Sequence, residues 1–312
     1  MEKGVQAMMT GKRFAAMDIG SNAVRLLLTE VFEGADGPCF RKIALVRMPI
    51  RLGRDAFILG KISRENGNRL LDTIAGFRSL IRAYEPLRFR ACATSAMREA
   101  ANGEKIRKKI LEHTGIALEI IEGREEARII FANNPWNGGA VPGNGEAWIF
   151  VDVGGGSTEI TLFSRGESLS RSFAIGTVRL LENLVPEDRW EEMKDWIREH
   201  TRDLSGIQAV GSGGNINSVM KLARGTEGRV LTREKMKAVR EQLRKFPYEE
   251  RITKLGLKPD RADVILPALK IYLSVMKWSG AEKMSVPQIG LADGVVRLLY
   301  QEELATRNSR AV

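Results

Sequence analysis

Apolar residues along this chain keep two rhythms, and the switch between them predicts its elements. Short apolar runs that stop at glycine or other turn residues predict strands. They lie at 14–18, 23–28, 39–49, 88–93, 117–121, 148–151, 160–162, 169–174, 207–210 and 284–287. A period near 3.6 predicts helices between them. The longest is expected at 66–84, where Leu70, Leu71, Ile74, Phe77, Leu80 and Ile81 share one face and Ser63 reads as the N-cap. Other helices are expected after Thr94 and Ser95, at 103–114, 123–131 and 186–203, after 175 and 214, and at 232–246, 249–255, 261–278 and 290–303. Residues 51–54 read as a loop, and the Gly/Pro/Asn-rich stretch 133–146 as a connector. Residues 1–12 read as a frayed start without the apolar core of a signal peptide.

Two places in this pattern carry chemistry. An apolar run from Trp148 to Val151 ends in Asp152, and Gly154, Gly155 and Gly156 follow, then Ser157, Thr158 and Glu159. Glycines let backbone N–H groups approach an anion closely, and the hydroxyls add donors. Asp152 offers the hard oxygen that Mg²⁺ takes from one or two carboxylates. On its own, such a stretch also fits a plain glycine hairpin. A near copy lies at the N-terminus: a strand ends in Asp18, a turn of Gly20, Ser21 and Asn22 follows, and a strand leaves through Arg25 to Leu28. Two such turns half a chain apart suggest two similar domains facing across a cleft. A third glycine turn, at Gly211, Gly213 and Gly214, enters a helix and suits phosphate or a nucleotide. Arg98, early in a helix, suits forked binding of phosphate or a solvated surface. Glu125 and Glu126 fit ordinary first-turn acids stabilised by the helix dipole.

Composition narrows the class. A chain of 312 residues is comfortable for two domains, and no apolar run approaches a membrane span. The two cysteines, Cys39 and Cys92, form no metal-type cluster and suggest a reduced, cytoplasmic compartment, with Cys92 in a core strand. His113 and His200 sit near helix ends without a nucleophile pattern. The net charge of +10 favours a polyanionic partner. Aromatic content is 6%, and no specific nucleic-acid motif is present. A phosphate-rich small molecule, an inorganic polymer or a solvated basic surface all fit the charge.

Together the motifs resemble the exopolyphosphatase/guanosine pentaphosphate phosphohydrolase (Ppx/GppA) family of the actin-like ATPase superfamily. The matching blocks are Ala16 to Asn22 with Arg25, Ala93 to Ala100, Gly123 to Arg128, Val151 to Glu159, Gly211 to Gly214, and Arg261 to Ile265. The resemblance implies an α/β fold of two RNase H-like domains, with mixed β-sheets flanked by helices and an interdomain cleft. Domain I would hold 1–123 plus the last helix, about 291–312, and domain II 124–290. It implies Glu126 as general base and Asp152 on Mg²⁺ (or Mn²⁺), with Asp18 and Glu159 as further candidates for metal or water. Arg98, Gly20, Ser21, Asn22, Gly154, Gly155, Gly156, Ser157, Thr158, Gly213 and Gly214 would bind phosphates. The implied substrate is inorganic polyphosphate or a guanosine penta/tetraphosphate, and the implied assembly a homodimer. Two departures stand out: Ala292-Asp293 where the family often has Arg-Glu, and Asn215 where it often has Thr.

Overall fold

Eleven strands among the described residues divide between two sheets that repeat one plan. The structure is a computed structural model and describes residues 11–35, 37–133, 147–223 and 228–310. Most of the 1–12 start and of the 133–146 connector lies outside the described residues.

The first sheet is built from β1 (Lys12–Ile19), β2 (Val24–Gly34), β3 (Gly37–Met48), β4 (Arg88–Ala93) and β5 (Leu118–Ile120), in the order β3-β2-β1-β4-β5. β1, β2 and β3 form an antiparallel meander, while β4 and β5 add in parallel. β1 is central, and from Phe14 to Ile19 every residue is buried, which is why it reads as a continuous apolar run. Between the strands run α1 (Leu52–Leu59), α2 (Arg64–Tyr84), α3 (Ser95–Glu99) and α4 (Gly103–Thr114). α2 starts where expected: the Ser63 hydroxyl accepts from the Asn66 N–H at 3.2 Å. Leu70, Ile74, Phe77 and Ile81 are its buried stripe, and Leu80 falls outside it. α1 replaces the expected loop at 51–54. Its Gly53 lies against Ser21, where a Cβ would come within 2.7 Å of the serine Cβ, so a helix breaker in the sequence serves a close contact in the fold.

After α5 (Gly123–Phe131), the second sheet is built from β6 (Trp148–Val153), β7 (Thr158–Ser164), β8 (Glu167–Phe173), β9 (Gln208–Ser212), β10 (Val230–Thr232) and β11 (Lys283–Ser285). Its order is β10-β11-β9-β6-β7-β8. β6, β7 and β8 repeat the meander, β9 and β11 repeat the parallel additions, and β10 pairs antiparallel at the edge. Around it lie α6 (Thr177–Leu181), α7 (Glu187–Thr201), α8 (Gly214–Leu222), α9 (Arg233–Arg244), α10 (Tyr248–Thr253), α11 (Pro259–Ala262) and α12 (Ile265–Ser279). The single helix expected from 261 is split into α11 and α12. The break lets Arg261 turn to Asn215 while Asp263 pairs with Arg51 at 2.6 Å.

α13 (Leu291–Arg310) returns to the first sheet. Its Leu291, Val295, Val296, Leu299 and Tyr300 pack with Phe14, Ala16, Leu27 and Cys92, and with Ile129 and Ile130 of α5. Tyr300 meets Phe14 and Phe40 edge-on, at 6.1 and 5.5 Å between ring centroids. α5 also reaches the second sheet, where Phe131 stands edge-on to Phe150 at 5.0 Å. The helix that carries Glu126 is therefore wedged between both halves.

Candidate active site

Each meander opens with the same turn. The Gly20 N–H bonds the Ala23 carbonyl at 3.1 Å, and the Gly154 N–H bonds the Ser157 carbonyl at 2.9 Å. The register then sets a difference between them. Across the first hairpin Asp18 lies opposite Arg25, and the two form an ion pair. Across the second, Asp152 lies opposite Glu159. The first turn thus carries a neutralised acid and the second carries two acids on one face.

The turns approach closely enough that only glycine fits. A Cβ on Gly155 would come within 2.8 Å of the Ser21 Cβ, and one on Gly156 would overlap Ser95 and Phe57. Ser21 and Ser95 are hydrogen-bonded through their hydroxyls at 2.9 Å. Gly213 closes the third side with φ +89, beside the Asp152 carboxylate. Bonds across the cleft hold this geometry: Asn22 Nδ2 donates to the Asp260 carbonyl at 2.8 Å, and the Arg47 fork grips the Asp260 carboxylate.

The result is a chamber of about 60 Å³. Asp18, Gly20, Ser21, Asn22, Glu126, Asp152, Gly154, Gly155, Ser157, Gly213 and Gly214 all line it, together with Arg25 and Arg261. Organic-ligand pockets usually hold about 300–1,000 Å³, so this space suits a single small anion and not a nucleoside. Four expected residues lie elsewhere. Gly156 sits in the contact with Ser95 and Phe57. The Thr158 hydroxyl donates to the Ile175 carbonyl at 2.6 Å. Glu159 is buried behind the chamber wall, accepting from Ser172 at 2.8 Å. Arg98 donates to the Ile121 carbonyl at 2.6 Å and lines a separate cavity of about 410 Å³ with Arg124, Arg171 and Ser172. Its charge still acts on both Glu126 and Glu159.

Burial raises the Glu126 carboxyl well above its ordinary range, and the charges of Glu159, Asp152 and Asp18 push it further. Glu159 is pushed up to about 7 by burial and by Asp152, against hydrogen bonds from Ser157 and Ser172. Asp152 is raised by burial, against the Ser212 hydroxyl and Arg25. Glu126 Oε2 and Glu159 Oε2 are buried without a hydrogen-bond partner. This cluster is short of positive charge. A divalent cation suits that deficit, because of the three acids lining the chamber only Asp18 is ion-paired, which leaves Asp152 and Glu126. Among the described residues no group of three or more acids, histidines or cysteines forms a ready cage. Mg²⁺ needs none, since it is held by one or two carboxylates, substrate phosphates and water.

The raised carboxyls set the stability of the metal-free protein. Between the ordinary Glu value near 4.5 and about 7, folded Glu159 holds a proton that the unfolded chain releases. That stabilisation is complete below the window and is lost as pH rises through it. Carboxylates held low by partners, such as Glu125 by Arg128 and Glu33 by Lys12, act below the window. The melting temperature of the metal-free protein is therefore expected to be lower at pH 8 than at pH 6. Glu159→Gln should flatten the slope, and a melting temperature that rises over the same interval would contradict this reading.

Arg25 and Arg261 were not singled out as site residues by the sequence. Arg25 was legible in principle, because its register opposite Asp18 follows from a two-residue turn closure. Arg261 was not, since its position depends on the break between α11 and α12. Burial between Arg25 and Arg47 lowers it to about 9, and it donates to Asn215 Oδ1 at 2.7 Å. The Asn215 departure thus holds an arginine at the chamber wall.

A sequence model of the Ppx/GppA phosphatase family matches residues 31–303. This chain belongs to the Ppx/GppA phosphatase family. The first turn lies outside that match and rests on the geometry above. Among relatives, "Exopolyphosphatase 1" of Mycobacterium leprae is 27% identical over 203 residues, which is 62% of this chain and 57% of that protein. A "Guanosine-5'-triphosphate,3'-diphosphate pyrophosphatase" of Aliivibrio fischeri is 25% identical over 318 residues, 96% of this chain and 62% of that protein. The chain therefore spans less than two thirds of the length of these relatives. A crystal structure of an exopolyphosphatase from Cytophaga hutchinsonii covers 93% of this chain and 98% of its own at a TM-score of 0.79 and 24% identity. The Aquifex aeolicus family member covers 94% and 98% at a TM-score of 0.72 and 23% identity. These likenesses establish the actin-like fold of two mixed sheets flanked by helices. No described helix is long and apolar enough to cross a membrane.

Proposed function

We propose that this chain is a phosphoanhydride hydrolase of the exopolyphosphatase type, which removes the terminal phosphate of inorganic polyphosphate. The observation that carries the reading is Glu126: a buried carboxylate with an unpaired oxygen, lining a phosphate-sized chamber between two glycine turns. Phosphoryl transfer is mainly positioning and electrostatics. The turn N–H groups, with Ser21, Asn22 and Ser157, hold the terminal phosphoryl oxygens. Arg25 and Arg261 offset its charge from the chamber wall, and the charge of Arg98 acts on Glu126. Glu126 takes a proton from, or orients, the attacking water. Mg²⁺ (or Mn²⁺), held by Asp152 and the substrate, would supply charge neutralisation of the phosphates. Glu159, set by Ser172, tunes Glu126 through their shared charge. Asp18 orients Arg25.

The proposed division is 1–123 plus about 291–312 for domain I and 124–290 for domain II, in a cytoplasmic homodimer. A second reading, hydrolysis of pppGpp to ppGpp at the same chamber, is favoured by the pyrophosphatase relative that covers most of the chain. Phosphate release with Mg²⁺ from long-chain polyphosphate and from pppGpp, at matched concentrations, separates the two. Faster release from polyphosphate is expected. Faster release from pppGpp would move the assignment, and none from either would sink it.

A further inference from the structure

Arg261 lines two spaces at once: the small chamber, and a larger cavity of about 840 Å³ that shares Gly214 with it. The side chain is buried, and Arg25 and Arg47 repel it. Asp260 attracts it, but the Asp260 carboxylate is already held by the Arg47 fork and by Asn22. A guanidinium in such a place needs a neutral acceptor to fix which way it turns. Asn215, only 2% exposed, supplies it. Its Oδ1 accepts from Arg261 Nη1 at 2.7 Å, while its Nδ2 donates to the Val153 carbonyl at 3.5 Å. Val153 ends β6 directly after Asp152, so the amide ties Arg261 to the strand that carries that acid.

The rest of the third glycine turn is shaped around the same two charged groups. A Cβ on Gly214 would come within 2.3 Å of Arg261 Nη2, and one on Gly213 within 3.0 Å of Asp152 Oδ1. The Gly213 N–H is bonded to the Ile289 carbonyl at 3.1 Å, so the turn meets an anion through Arg261 and not through that N–H. The Asn215 bond is the one side-chain hydrogen bond of Arg261 among the described residues, which leaves its other N–H donors for a ligand. We propose that Asn215 is a positioning residue, which turns those donors into the chamber, onto the terminal phosphoryl group, and away from the larger cavity. The proposal rests on the hydrolase reading for the identity of the anion, but it concerns binding and not turnover.

The test is a double-mutant cycle in the full chain with Glu126→Gln, so that nothing is consumed. Affinity for tripolyphosphate is measured by equilibrium dialysis with Mg²⁺ after Asn215→Ala, after Arg261→Gln, and after both. Arg261→Gln is expected to weaken binding roughly 10- to 100-fold, the usual worth of hydrogen bonds to a charged group. Asn215→Ala should give most of that loss, and the double variant should bind within about twofold of Arg261→Gln alone. Asn215→Thr keeps a hydroxyl in the seat and guards against a variant that fails to fold. Its smaller loss should likewise vanish beside Arg261→Gln. Losses that multiply in the double variants would overturn the proposal, because Asn215 would then act on the fold and not through Arg261. So would full affinity after Asn215→Ala, or after Arg261→Gln. If the wild-type chain releases no phosphate yet the expected pattern appears, the hydrolase reading fails and this one stands.

Discussion

Glu126→Gln is expected to leave the fold intact and to lower phosphate release by roughly 10²–10⁴-fold, the usual worth of a positioned base. Glutamine has the same shape, and Glu126 Oε2 has no hydrogen bond to lose. The change also removes one charge from a cluster where Glu159, Asp152 and Asp18 already repel it. The variant should therefore melt no lower than the wild type at pH 8 without metal. The loss should fall on kcat, with KM little changed, because the chamber's phosphate donors remain. In the wild type, the acid limb of kcat/KM should lie above the ordinary carboxylate range, since protonated Glu126 cannot serve as base. A variant with wild-type kcat would remove Glu126 from the chemistry.

Gly294→Ala is expected to damage the same function from a distance. Gly294 of α13 lies on α5, and a Cβ there would overlap the Ile129 carbonyl oxygen, which is backbone and cannot rotate away. α13 must lift or α5 must shift. Overpacking of this kind costs about 1–3 kcal/mol or more. Glu126 lies one helical turn before Ile129, so a shift of α5 moves the base relative to the chamber. Lower stability and lower kcat are expected together, with substrate affinity better preserved than turnover. Gly76→Ala is the control, because a Cβ at that exposed position in α2 meets open space. It should be neutral or stabilising by up to about 1 kcal/mol. Equal behaviour of the two variants would mean that the α5–α13 contact does not position Glu126.

These two residues also mark how far the sequence reaches. The turns at Gly20 and Gly154 were legible because each needs an acid at the end of an apolar strand and residues that tolerate close approach. The strands that follow them are legible as short apolar runs bounded by turn residues, but their antiparallel order is not. Glu126 itself was half legible. Ile129 and Ile130 follow at helical spacing and share its buried face, while Glu125 turns outward to Arg128 and Arg90. Nothing local separates the two acids by strength of burial, because that depends on α13 arriving from the far end of the chain. The helix that carries Arg98 is legible, but which way its side chain points is decided by the Ile121 carbonyl. α1 is not legible in the sequence because Gly53 reads as a breaker until its contact with Ser21 is known.

The central claim is that one chamber, holding one terminal phosphoryl group, hydrolyses it from the end of a chain. Following the products from long-chain polyphosphate with Mg²⁺ over time tests this most directly. The account predicts free phosphate from the earliest points, with no mid-length chains cut from the interior. Internal fragments appearing ahead of phosphate would contradict it, because a chamber of about 60 Å³ closed by the Asn22 and Arg47 bonds to Asp260 has no room for a chain to run through.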